Sequence, residues 1–160
     1  ALLAGIVLDT KNFSVRTGAR TFEAAAFLRR TGADTVDVKK LFQNNLKDTL
    51  QRYQIIQRAR LYRGDIAIAA LDYTASRTIA AQASDELLNI AGISTSFVLY
   101  PDGERVIMSA RSIGDTNVQM ILEPLGGGGN AATAGCQITG KDMNTVLHEL
   151  IASIDKYFEE

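Results

Sequence analysis

The sequence predicts an α/β protein, a small helical segment followed by a mixed-sheet α/β domain, and three observations carry that reading. Apolar residues recur at helical spacing through the first third of the chain. The β-type run Ile66-Ala67-Ile68-Ala69-Ala70-Leu71 begins only after Gly64. Further on, Pro101-Asp102-Gly103-Glu104 separates two strand-like runs with the turn residues of a hairpin. The change of period puts a boundary near Arg63-Gly64-Asp65, dividing the chain into units 1–62 and 63–160.

Taken in order, Ala1 to Asp9 is an apolar element that runs into the polar loop Thr10 to Gly18. Thr21 caps a helix through Phe22, Ala25, Phe27 and Leu28 that ends near Gly32, and a short helix follows from Asp34 or Thr35 to Phe42. A long connector helix opens at Asn44 or Asn45, with Leu46, Leu50, Tyr53, Ile56 and Leu61 on one face and Arg52, Arg58 and Arg60 largely off it. After the strand at 66–71, a helix spans Ser76 to Ile90 and is closed by Gly92. The hairpin strands are Ser96 to Tyr100 and Arg105 to Ala110. A helix over Asn117 to Leu125 leads into Gly126-Gly127-Gly128-Gly129, a last strand covers Cys136 to Thr139, and a final helix runs from Lys141 to Phe158.

Composition narrows the function. With 160 residues, 46% hydrophobic and 22% charged, the chain is long enough for one good core and reads as globular. A net charge of −1 with scattered Lys and Arg lacks the footprint needed for long duplex nucleic acid, so a phosphate ligand is expected to be small. The single cysteine, Cys136, excludes an internal disulfide and reads as a small buried apolar residue, in keeping with a cytoplasmic setting. One histidine, His148, among Leu147, Leu150 and Ile151, leaves no His-based triad or two-histidine metal site and reads as structural. The chain starts without Met on an apolar segment and is expected to be a fragment of a longer protein.

Four consecutive glycines leave backbone N–H groups unshielded, a nest for phosphate if Asn130 caps a short helix beyond them; a helix end with a flexible turn is the competing reading. Arg111, flanked by Ser109 and Ser112 at the end of a strand, has the fork geometry for phosphate oxygens, or lies solvated at the strand end. Asn117 reads as a ligand contact or as the cap of its own helix. Asp9, at the end of an apolar element with Lys11 and Asn12 beside it, suits a divalent cation and equally suits a turn.

In their order, Gly5-Ile6-Val7-Leu8-Asp9-Thr10-Lys11-Asn12-Phe13, Arg20-Thr21-Phe22-Glu23-Ala24, Ser109-Ala110-Arg111-Ser112, Asn117-Val118-Gln119 and Leu125-Gly126-Gly127-Gly128-Gly129 strongly resemble the DHH phosphoesterase superfamily over nearly the whole chain. The DTKNF and RTFEAA wording is similar to membrane-bound cyclic di-AMP phosphodiesterases of the GdpP type. The resemblance implies that 1–62 is the C-terminal tail of a catalytic DHH domain with its connector helix, and that 63–160 is a DHH-associated substrate-binding domain. It implies hydrolysis of cyclic di-AMP to pApA by two manganese ions, with Asp9 as one metal ligand and the others upstream. Because two metals need several oxygen and nitrogen ligands, the fragment alone is expected to be inactive without the N-terminal DHH segment. It further implies that Ser109, Arg111, Ser112, Asn117, Gly126, Gly127, Gly128, Gly129 and Asn130 contact substrate, and that the cytoplasmic portion belongs to a membrane-anchored parent that could form a homodimer. Asn130 stands where the family motif has histidine, which removes a titratable cation from the site. An oligoribonuclease or pAp phosphatase of the same superfamily, or a non-catalytic module for nucleotides or short single-stranded nucleic acid, are the alternatives.

Overall fold

A computed structural model describes residues 46–159 of the chain. The expected elements before Leu46, and with them Asp9, lie outside the described residues. The stretch Leu46–Glu160 forms one compact unit. Its elements are α1 (Leu46–Gln57), β1 (Ala59–Tyr62), β2 (Ile66–Ala70), α2 (Arg77–Leu87), β3 (Thr95–Asp102), β4 (Arg105–Ser112), α3 (Val118–Leu122) with a 3-10 turn (Glu123–Leu125), β5 (Gly128–Gly129), β6 (Thr133–Thr139) and α4 (Met143–Glu159). The strands form one mixed sheet in the order β1-β2-β3-β4-β6-β5. This is the α/β architecture expected, with β2 and β3 the parallel pair because α2 supplies the crossover that parallel pairing needs.

The hairpin turns as its residues predict. Asp102 pairs with Arg105 across Gly103 at φ 62°, and Asp102 accepts a 2.7 Å hydrogen bond from Arg105 Nη2. Ser76 caps α2 by accepting from the Ile79 N–H at 3.0 Å. Buried Ser96 donates to the Ser84 carbonyl at 2.7 Å, tying β3 to α2.

Three expectations fail. Residues 59–62, expected to carry the connector helix as far as Leu61, form β1 instead, because Arg63 (φ 56°) and Gly64 (φ 90°) turn the chain back so that Tyr62 pairs with Ile66. The helix itself presents its other side inward: Leu46 (73% exposed), Leu50 and Tyr53 are exposed, while Arg52 (7%) and Ile55 are buried. Arg52 goes in because its Nε meets Glu86 Oε1 of α2 at 2.6 Å, a buried cation with a partner. The third is His148, which is exposed on α4 rather than packed among its apolar neighbours.

The sheet is covered on both faces. On one, Phe97, Leu99, Met108 and Cys136 pack against Val118, Ile121, Leu150 and Ile154 of α3 and α4. On the other, Ala67, Ala69, Val98 and Ile107 pack against Ile55, Ile79, Ala83 and Leu87 of α1 and α2. α1 therefore packs against the sheet and β1 belongs to it, while Arg58 stacks over the Tyr73 ring at 5.0 Å.

Candidate functional site

The helices cover the two faces to different extents. β2 and β3 are buried on both sides, whereas β6 alternates exposed and buried, with Thr133, Gly135 and Gln137 exposed. Beyond α2, therefore, a strip of sheet over β4, β6 and β5 stays bare, and it forms a hollow of about 680 Å³, within the usual range for small-ligand sites. Ser109 and Gly135, directly opposite in register, lie on its floor, and Gly135 leaves that floor low. Arg77, Ala80 and Ala81 of α2 make one wall and Gly126 to Gly129 the other.

Arg111 is held from three sides. Its Nη1 donates to Ser109 Oγ at 3.2 Å and to the Ala110 carbonyl at 2.9 Å, while Nε lies 3.2 Å from Asp85 Oδ1 of α2. With its side chain only 17% exposed, the guanidinium is oriented before any ligand arrives.

The tetraglycine segment departs from the expected helix-capping nest: its second half, Gly128–Gly129, becomes β5, and the strand β6 follows rather than a short helix. Gly126 (φ 89°) ends the 3-10 turn. At Gly127 a Cβ would come within 2.6 Å of the Gly135 carbonyl oxygen and 3.0 Å of Leu122 Cβ, so a glycine is required where the chain entering β5 passes so close to β6. Gly128 has open space around it. Asn130 turns the chain, its Oδ1 accepting from the N–H groups of Ala132 and Thr133, both at 2.9 Å.

Of the residues expected to contact substrate, Ser109, Arg111 and the four glycines line the hollow. Ser112, Asn117 and Asn130 do not. Ser112 is buried two residues beyond Ala110 on the α3/α4 side, its hydroxyl without a hydrogen-bond partner among the described residues. Asn117 caps α3 by accepting from the Met120 N–H at 3.1 Å, and its own N–H donates to Tyr157 Oη at 3.0 Å. Sequence reasoning missed Arg77, Gly135 and Gln137; the period-two pattern of Thr133 to Thr139 was the signal available for the last two. Cys136 is buried, donates to the Leu125 carbonyl at 3.3 Å, and has its thiol pushed up by burial, so at neutral pH it is a neutral packing group. Among the described residues, no group of three or more His, Cys, Asp or Glu is placed to hold a metal ion, and no helix is long and apolar enough to cross a membrane.

Residues 63–160 match the DHHA1 domain. Over 164 residues the chain is 44% identical to the cyclic-di-AMP phosphodiesterase GdpP of Bacillus subtilis (strain 168), covering 99% of this chain and 25% of that protein. It is 41% identical over 162 residues to the cyclic-di-AMP phosphodiesterase PdeA of Listeria monocytogenes serotype 1/2a, again covering 99% and 25%. The chain thus spans about a quarter of the length of these curated relatives. Among solved structures, an exopolyphosphatase-related protein from Bacteroides fragilis superposes with a TM-score of 0.73 at 17% identity, covering 96% of this chain and 47% of that one. RecJ from Thermus thermophilus superposes with a TM-score of 0.54 at 13% identity, covering 97% and 23%. At these identities the likeness is one of fold.

Proposed function

This chain belongs to the DHHA1 family, and from that premise we propose that it is the nucleotide-binding C-terminal portion of a manganese-dependent phosphodiesterase that opens cyclic di-AMP to pApA. The relatives named for that activity motivate the substrate, and the observation that carries the reading is the pinned Arg111 at the edge of the bare strip. Its guanidinium and the Ser109 hydroxyl face phosphate oxygens, which suit a fork of donors better than a point charge. Ala80, Ala81 and Ile107 offer an apolar wall for a base. The glycine strand lets ligand and backbone approach closely, since Gly128 has nothing beside it.

The described residues do not fit a two-metal centre. In this reading a catalytic segment with Asp9 among its ligands would hold the manganese ions, which would supply activation of the attacking water. The sheet and its hollow then bind and orient the dinucleotide and do not cleave it unaided.

Calorimetric titration of the full-length protein with cyclic di-AMP and with pApA tests the assignment. Binding of either supports it, and no heat from either rejects it. Kinetics sharpen the role of Arg111: Arg111→Ala is expected to raise KM at least about tenfold and to lower kcat less, as befits an interaction made remote from the reacting atoms. An unchanged KM overturns that role.

A further inference from the structure

Ser112 closes the Ser109-Ala110-Arg111-Ser112 run yet stays out of the hollow, and its hydroxyl is one of four buried side-chain oxygens without a hydrogen-bond partner among the described residues. A second belongs to Thr95, fully buried at the start of β3. The two residues are direct partners in the β3–β4 register. Other buried serines fare differently: Ser84 donates to the Ala80 carbonyl at 3.0 Å and Ser96 to the Ser84 carbonyl at 2.7 Å. Two orphaned hydroxyls therefore meet at one cross-strand position.

The backbone fixes how they meet. The Thr95 N–H is directed at β2 and reaches the Asp65 carbonyl at 3.4 Å, while the Ser112 N–H donates to the Ala132 carbonyl at 2.9 Å on the far side of β4. Neither N–H is spent on the facing strand, so 95 and 112 form the non-hydrogen-bonded kind of antiparallel pair, whose Cα atoms stand only about 4.5 Å apart. Both side chains point to the face covered by α3 and α4, in step with Phe97 and Ala110.

We propose that Thr95 Oγ1 and Ser112 Oγ share one internal water molecule as a fixed part of the fold. Two hydrogen bonds of about 2.8 Å meeting at one oxygen span up to about 5 Å, a separation that side chains of such a pair offer. Each hydroxyl both donates and accepts, which supplies the polar contacts that a buried water requires. An ion does not suit the position, because neither hydroxyl carries a charge to offset it. Left unpaired, each hydroxyl would carry its desolvation cost uncompensated, and one water removes both costs. Arg111 points to the opposite side of β4, so the water lies beneath the strand that presents the guanidinium, out of reach of any ligand in the hollow.

Crystals of the full 160-residue chain diffracting to high resolution test this directly. The expected result is one ordered density peak about 2.8 Å from both oxygens. A direct contact between the two hydroxyls with no peak between them overturns the inference, as does a peak bonded to only one of them. Thermal melts of Thr95→Val, Ser112→Ala and the double variant supply an energetic measure. Each single change leaves the remaining hydroxyl and the water short of a partner, and should lower the melting temperature by about 2–8 °C. The double variant should lose clearly less than the two single losses added, because the water and the last orphaned hydroxyl leave together. Strictly additive losses overturn the shared site.

Discussion

On one face of the sheet α3 and α4 reach across β4 and β6, whereas on the other α1 and α2 leave β6 uncovered. The same strand records both situations: Ala134, Cys136 and Ile138 are buried, and Thr133, Gly135 and Gln137 between them are exposed. The closed face supplies stability through apolar contact. The open face places Ser109, Arg111 and Gly135 on a rigid floor whose rigidity comes from the packing beneath it. A ligand site and a core can thus share a single strand because successive side chains point to opposite sides.

Substitutions can break that division of labour. The largest effect belongs to the closed face: Leu150→Ala removes a fully buried side chain of α4 and should cost about 2–5 kcal/mol in urea unfolding. Gly127→Ala tests the seam between the faces. Its methyl would press on the Gly135 carbonyl oxygen at 2.6 Å, so β5 must shift, with about 1–3 kcal/mol of destabilisation and weaker nucleotide binding together. Gly135→Val separates those two readouts. The new Cβ would meet only the Met108 carbonyl oxygen, at 3.5 Å, and valine suits a strand, so the melting temperature should hold while affinity falls about tenfold, or ~1.4 kcal/mol. Equal affinity in Gly135→Val would show that ligand does not use this floor.

The smallest effect is a pH dependence at the start of α4. Asp142 accepts from the Thr145 N–H at 2.8 Å, and hydrogen bonding from the Thr145 side chain and backbone holds its carboxyl below the ordinary carboxylate range. A carboxyl lowered on folding stabilises the fold above its unfolded pKa, and that contribution disappears as pH falls through the lowered value. Thermal melts at decreasing pH should show a small loss in the wild-type protein that Asp142→Asn lacks.

What the sequence revealed depends on how local each signal is. The Pro101 to Glu104 turn, the start of α2 at Ser76 and the strand–helix–strand order around it need only neighbouring residues, and they were legible. The β1 strand was not, because Leu61 continues a helical spacing and only the Tyr62 to Ile66 pairing reveals the strand. Helical spacing alone puts Arg52 on the outer side of its helix, since nothing nearby announces Glu86, which lies in α2. At the site, Arg111 and the glycines stood out as residue types, yet the work of Gly127 is to let the chain entering β5 pass close to Gly135 of β6, a tertiary constraint. Arg77 carried no motif at all, and only the fold brings it to the wall of the hollow.

The brevity of β5 has a consequence for how molecules of this protein meet one another. An outermost strand normally offers a ladder of unmatched amide and carbonyl groups on which a neighbour can extend the pleated array. Here β5 is two glycines long, Gly128 and Gly129, without a side chain to grip an incoming segment, and it pairs only with Gly135 and Ala134 of β6. At β5 too few backbone pairs are on offer to recruit another polypeptide, so crowding should not seal the entrance through strand addition on these two residues.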